Sequence, residues 1–127
     1  MYLNELRDKA SAYAEKQGFH ENYNFAERLM LVVAELSEAL EAHRKTDRTG
    51  WAGNPMIGSF NLLDGSPESL QAFEYEHYVR GTVEEELADA VIRICDLAGI
   101  EGIDLEWHVR AKMSYNETRP FKHGKRY

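Results

Sequence analysis

Two stretches of this sequence set acids inside otherwise apolar helical patterns: Ala34-Glu35-Leu36-Ser37-Glu38 and Glu86-Leu87-Ala88-Asp89-Ala90. In each, the acids stand three positions apart, which puts them on one helical face with Cβ atoms roughly 5–6 Å from each other. Like charges at that spacing weaken a helix by about 0.2–0.5 kcal/mol, so something must offset the repulsion. A solvated helix face often carries one such pair. Here both helices have little other polar surface, and a helical bundle would bring the two pairs together. Four gathered carboxylates suit a hard divalent cation such as Mg²⁺, which takes oxygen ligands and keeps positions open for water and phosphate. Ion pairing with Arg28, Lys45 or Arg93 is the rival use of the same acids.

The rest of the pattern is helical too. Leu3, Leu6, Ala10, Tyr13 and Ala14 recur at helical intervals, and Gly18 is the expected stop. Asn24 caps a second helix over 25–45, whose Leu29, Met30, Val32, Val33, Leu36 and Leu40 spread too broadly for one stripe and predict burial on two sides. From Thr46 to Pro67 the composition turns to Gly, Asn, Asp, Ser and Pro, a connection longer than the about 12–15 residues usual for structureless loops. A short helix over 67–79 would turn Leu70, Phe73 and Tyr78 inward. Thr82 and Glu85 have the form of a capping box for a helix to about Leu97, stopping at Gly99, and Asp104 caps the last helix, 105–116. The expectation is one all-α domain, 1–127: a bundle of four to five helices with a loop-rich insertion at about 46–81, between the second and third main helices.

Composition narrows the function. A net charge of -7 argues against a nucleic-acid polymer or an anionic membrane as partner. The charge is uneven, however: Arg110, Lys112, Arg119, Lys122, Lys125 and Arg126 face only Glu117 in the last stretch. No apolar run reaches the length of a membrane span, and the first residues lack the order of a secretory signal. With a single cysteine, Cys95, an internal disulfide is excluded, and its apolar neighbours mark it as a buried core residue. The expectation from these features is a cytoplasmic protein. Glu-x-x-His pairs of the kind used by di-iron bundles, a phosphate-binding Gly loop and a dinucleotide fingerprint are all missing from the main helices.

Taken in order, Glu35-x-x-Glu38, Glu86-x-x-Asp89, Gly102-Ile103-Asp104-Leu105, Lys112 to Asn116, and Arg119-Pro120-Phe121-Lys122-His123-Gly124-Lys125 resemble the MazG-like all-α nucleoside triphosphate pyrophosphohydrolases. The resemblance covers roughly residues 20–45 and 82–127. It implies hydrolysis of a (d)NTP to its monophosphate and pyrophosphate with Mg²⁺, or Mn²⁺ as substitute, in a homodimer or homotetramer. Glu35, Glu38, Glu86 and Asp89 would then be metal ligands, and Lys112 and Asn116 would meet the substrate's phosphates or sugar. The insertion is longer than in compact members of that family.

In such a site Glu35 or Glu38 is the first candidate for general base, with Glu41 or Asp96 as outer alternatives. Arg119 and Lys122 would complement the triphosphate. For the base, Trp51 is the aromatic with least core reason to be where it is; Tyr23, Phe60 and Trp107 are weaker choices. The alternative reading is a non-catalytic helical module that binds nucleotide or a partner protein for regulation. A third is a scaffold whose buried acids fix helix register.

Overall fold

A computed structural model of the chain describes residues 2–45 and 67–126. Every regular element among them is helical: α1 (Leu3–Lys16), α2 (Phe25–Lys45), α3 (Ala72–Tyr78), α4 (Val83–Ile100) and α5 (Leu105–Glu117), with short 3₁₀ turns at Pro67–Ser69 and Phe121–Gly124. The fold class is all-α. Trp51, Phe60 and the other apolar residues of 46–66 lie outside the described residues. Among the described residues no helix is long and apolar enough to cross a membrane.

The helices begin where local chemistry starts them. Asn24 Oδ1 accepts from the Glu27 N–H at 2.9 Å, Thr82 Oγ1 from the Glu85 N–H at 3.2 Å, and Asp104 Oδ1 from the Trp107 N–H at 3.0 Å. Each satisfies one of the donors that a helix leaves unpaired in its first turn. At α4 the return arm of the box is shifted by one residue: the Glu85 carboxylate accepts from Gly81 N–H at 3.2 Å.

One helix end corrects the sequence reading. Gly99 does not stop α4, which continues to Ile100. The stop is Gly102, at φ +67°, where Gly102 N–H reaches the Gly99 carbonyl and Ile103 N–H the Ala98 carbonyl. That pair of bonds is the left-handed closure a Cβ disfavours. Gly99 serves a different purpose, for a Cβ built on it would lie 2.6 Å from Ser11 Cβ. It lets α1 and α4 approach closely, a role that spacing alone does not separate from termination.

The chain divides into two compact units, Met1–Leu29 with Ile92–Tyr127, and Met30–Val91. In the first, the starts of α1 and α5 cap each other. The Leu3 N–H donates to Glu106 Oε1 at 2.7 Å, and the Glu106 N–H donates to Asn4 Oδ1 at 3.0 Å. Asn4 Nδ2 also donates to Asp104 Oδ1 at 2.8 Å, and with the Trp107 N–H it holds that carboxyl below its usual range. The buried side chains here are Ala10, Ala14, Cys95, Leu97 and Ala98. Cys95, 1% exposed, is the core residue expected, and burial pushes its thiol pKa up.

In the second unit α2 buries Val32, Glu35 and Ala39, and α4 buries Ala90. Burial of α2 on two sides is not found in the single chain: Val33, Leu36 and Leu40 form a second stripe and are each about half exposed. Phe73 is likewise not turned inward but 70% exposed, whereas Leu70 and Tyr78 are half-buried. α3 spans only two turns, so covering one of its sides leaves the other to solvent.

The Gly99 contact gives a direct test. At an open helix position Gly→Ala stabilises by up to about 1 kcal/mol, whereas forcing a methyl into packed atoms costs about 1–3 kcal/mol. Gly99→Ala should therefore lower the urea midpoint; an increase would show that α1 and α4 are not in close contact there.

Candidate functional site

Both acidic motifs fall in the second unit. On α2, Glu35 shares the buried side with Val32 and Ala39, three residues before it and four after, and is 8% exposed. On α4, Glu86 and Asp89 are half-buried, next to Ala90. One carboxylate oxygen from each of Glu35, Glu86 and Asp89 can be chosen so that all lie within 4.8 Å of one another. Glu38, one turn beyond Glu35, is exposed, yet its carboxyl also hydrogen-bonds to Glu86. The structure thus gathers all four acids that the spacing singled out.

Two carboxyl groups hydrogen-bond to each other only if one keeps a proton. Glu86 is the group that keeps it. Burial, then its hydrogen bonding to Glu35 and Glu38, then the charges of those two acids push its pKa up to about 7. The proton belongs to the cluster as a whole, since groups so coupled titrate together.

The donor set fits a hard cation. Each of the three clustered side chains offers carboxylate oxygen, and the cluster contains neither His nor Cys. Oxygen-only sites suit Mg²⁺, Ca²⁺ or Mn²⁺ rather than zinc or copper. A bound dication would displace the shared proton and turn mutual repulsion into coordination.

A tyrosine that the sequence did not mark stands beside these acids. Tyr75, on α3, hydrogen-bonds to Glu85, and burial, that bond and the charges of Glu85, Asp89 and Glu86 push its phenol up to about 12. Glu85 is therefore held by both Tyr75 and Gly81. Nothing in the spacing signals a contact that reaches from an insertion helix to the next helix.

The other candidates are placed as follows. Glu41 pairs with Lys45 at 3.3 Å on the exposed side of α2. Asp96 pairs with His20 at 2.7 Å in the first unit, a partly buried pair that sequence separation concealed. Tyr23 donates to Glu101, and Trp107 is exposed against the edge of His108. Lys112 and Arg119 lie against the Tyr115 ring and Lys122 against Phe121. Asn116 Oδ1 is buried without a hydrogen-bond partner. Trp51 falls outside the described residues.

No protein-family model matches the chain, and no curated protein or solved structure matches it.

The shared proton makes a signed prediction. Glu86 keeps its proton to about pH 7 in the folded protein, against a reference pKa of 4.5. The folded state binds more protons between those values, so this contribution to stability is complete below 4.5 and lost as pH rises through about 7. In EDTA, the melting temperature of wild type relative to Glu86→Gln should fall between pH 5 and 8. A flat or rising difference would contradict the assignment.

Proposed function

We propose that this chain is a divalent-cation-dependent nucleoside triphosphate pyrophosphohydrolase of the MazG-like type, cleaving (d)NTP to (d)NMP and pyrophosphate. The observation that carries the reading is the meeting of Glu35, Glu86 and Asp89 within 4.8 Å, one turn from Glu38. The ordered resemblance of Lys112, Asn116 and the Arg119 to Lys125 segment to that family supports it further. Glu35, Glu86 and Asp89 would hold the cation, with Glu38 completing the set through Glu86; Mg²⁺ is the expected ion and Mn²⁺ its substitute. When bound, the ion supplies Lewis acidity at phosphate oxygens and an activated water.

The residues themselves do the rest. Phosphoryl transfer demands an in-line nucleophile and compensation of charge on equatorial and leaving oxygens. Glu38, exposed and hydrogen-bonded to Glu86, would take a proton from an attacking water, while the buried Glu35 would fix the ion. Lys112, Arg119 and Lys122 have no carboxylate ion pair among the described residues, and Asn116 holds an unused acceptor for a sugar hydroxyl. These are the groups that a triphosphate and its ribose require.

Self-association is part of the same reading. On α2, Leu29, Val33, Leu36 and Leu40 recur at spacings of four, three and four and remain exposed, as do Leu87, Val91 and Ile94 on α4. Spacings of that kind form the seam by which helices pair, and a second copy is the partner that buries them in a homodimer or homotetramer.

Two experiments test this. Pyrophosphate release from a panel of NTPs and dNTPs should require Mg²⁺, vanish in EDTA, and fall at least about 10²-fold in Glu38→Gln. No release by a folded, metal-binding protein would leave the regulatory module instead. In light scattering after size exclusion, wild type should run at two or four times 14.6 kDa, and Leu36→Glu with Leu40→Glu should shift it to one copy. A single-copy wild type would remove self-association from the account.

A further inference from the structure

In this acid-rich chain, three cations at the C-terminal end of the first unit rest on aromatic rings. Lys112 Nζ lies 5.1 Å from the centroid of Tyr115, and the Arg119 guanidinium carbon lies 5.6 Å from the same ring. Lys122 Nζ lies 5.7 Å from the centroid of Phe121. None of the three has a carboxylate ion pair among the described residues. Positions 115 and 116 stand three and four residues after position 112, the spacing that aligns side chains along the last turns of α5, and Arg119 follows just past the C-cap Thr118.

The choice of partner has an electrostatic consequence. A carboxylate would neutralise a lysine and compete with any incoming anion. An aromatic face attracts a cation through its quadrupole without supplying a net charge, so the side chain is held in place while its charge stays available. Tyr115 does this for two cations at once and is itself 57% exposed. Two further observations sit with it. Asn116 Oδ1 is buried and has no hydrogen-bond partner, an arrangement that native proteins seldom leave without a use. Lys122 and His123 both adopt left-handed backbone, at φ +53° and +54°, a conformation that side chains other than Gly resist.

We propose that Tyr115 is a positioning residue that holds Lys112 and Arg119 apart from acids as a two-pronged receptor for a polyphosphate chain. The inference deepens the reading of the substrate given above and rests on it for the identity of the anion. Tyr115 acts through the two cations and not by touching the reacting atoms.

The experiment is calorimetric titration with inorganic tripolyphosphate, in EDTA, of the full chain and variants at position 115, each checked by circular dichroism. Tyr115→Leu should weaken binding about tenfold, the loss expected from two cation–π contacts, and Tyr115→Phe should stay within about twofold of wild type. Phenylalanines carrying one, two and three ring fluorines should fall between them in that order, because fluorine drains the ring face while leaving its shape nearly constant. Lys112→Gln should cost less in the Tyr115→Leu background than in wild type, as coupled residues do. Unchanged binding in Tyr115→Leu, equal loss at every level of fluorination, or no tripolyphosphate binding by wild type would each overturn the proposal. Graded binding without pyrophosphate release from any nucleotide would instead retain the receptor and reject the hydrolase.

Discussion

Packing α2 against α4 gathers carboxyl groups that repel one another, and the chemistry of the second unit follows from that fact. Two unit charges 4 Å apart cost about 1 kcal/mol in water and about 4 kcal/mol at the effective dielectric near a protein surface. The cluster relieves this repulsion by keeping a proton on Glu86 near neutral pH, shared with Glu35 and Glu38. A proton is a weak substitute for a dication. Two of the acids that share the proton, Glu35 and Glu86, also lie with Asp89 so that one oxygen of each is within 4.8 Å of the others, a spacing that a cation could bridge. A cation bound there would compete with the proton, so affinity for an ion and stability without one would be two sides of one electrostatic problem.

The helix starts of the first unit exchange backbone and side-chain hydrogen bonds through Leu3, Asn4, Asp104 and Glu106, which fixes where α5 begins. At the other end of that helix, Lys112 and Arg119 are spared neutralisation by resting on Tyr115. Four acids meet in the second unit, while Lys112, Arg119 and Lys122 of the first have no carboxylate ion pair among the described residues.

Much of this was legible because it is local. The Asn24, Thr82 and Asp104 caps, the Gly18 stop and the bounds of α2 each depend on residues within one turn. The acidic motifs were legible for a different reason: a charge on an otherwise apolar face is costly, so its presence signals a use. Gly99 was misread because termination and close packing call for the same missing Cβ. Phe73 was misread because a two-turn helix has too few residues to mark which side is covered. His20 with Asp96, and Tyr75 with Glu85, join residues far apart in sequence or on different helices, and no periodicity encodes such contacts. The cation–π pairs around Tyr115 had a faint signal in their spacing, hidden because basic residues near a terminus are usually solvated.

The central claim is that Glu35, Glu86 and Asp89 form a cation site. Titration of the metal-free protein with Mn²⁺, followed by loss of the free-ion paramagnetic resonance signal, addresses it without reference to any substrate. Saturable binding that releases a proton near neutral pH and disappears in Glu35→Gln, with the helical content unchanged, is the result this account predicts. A folded wild-type protein that leaves the Mn²⁺ signal unchanged, or a Glu35→Gln variant that binds as well as wild type, would contradict it.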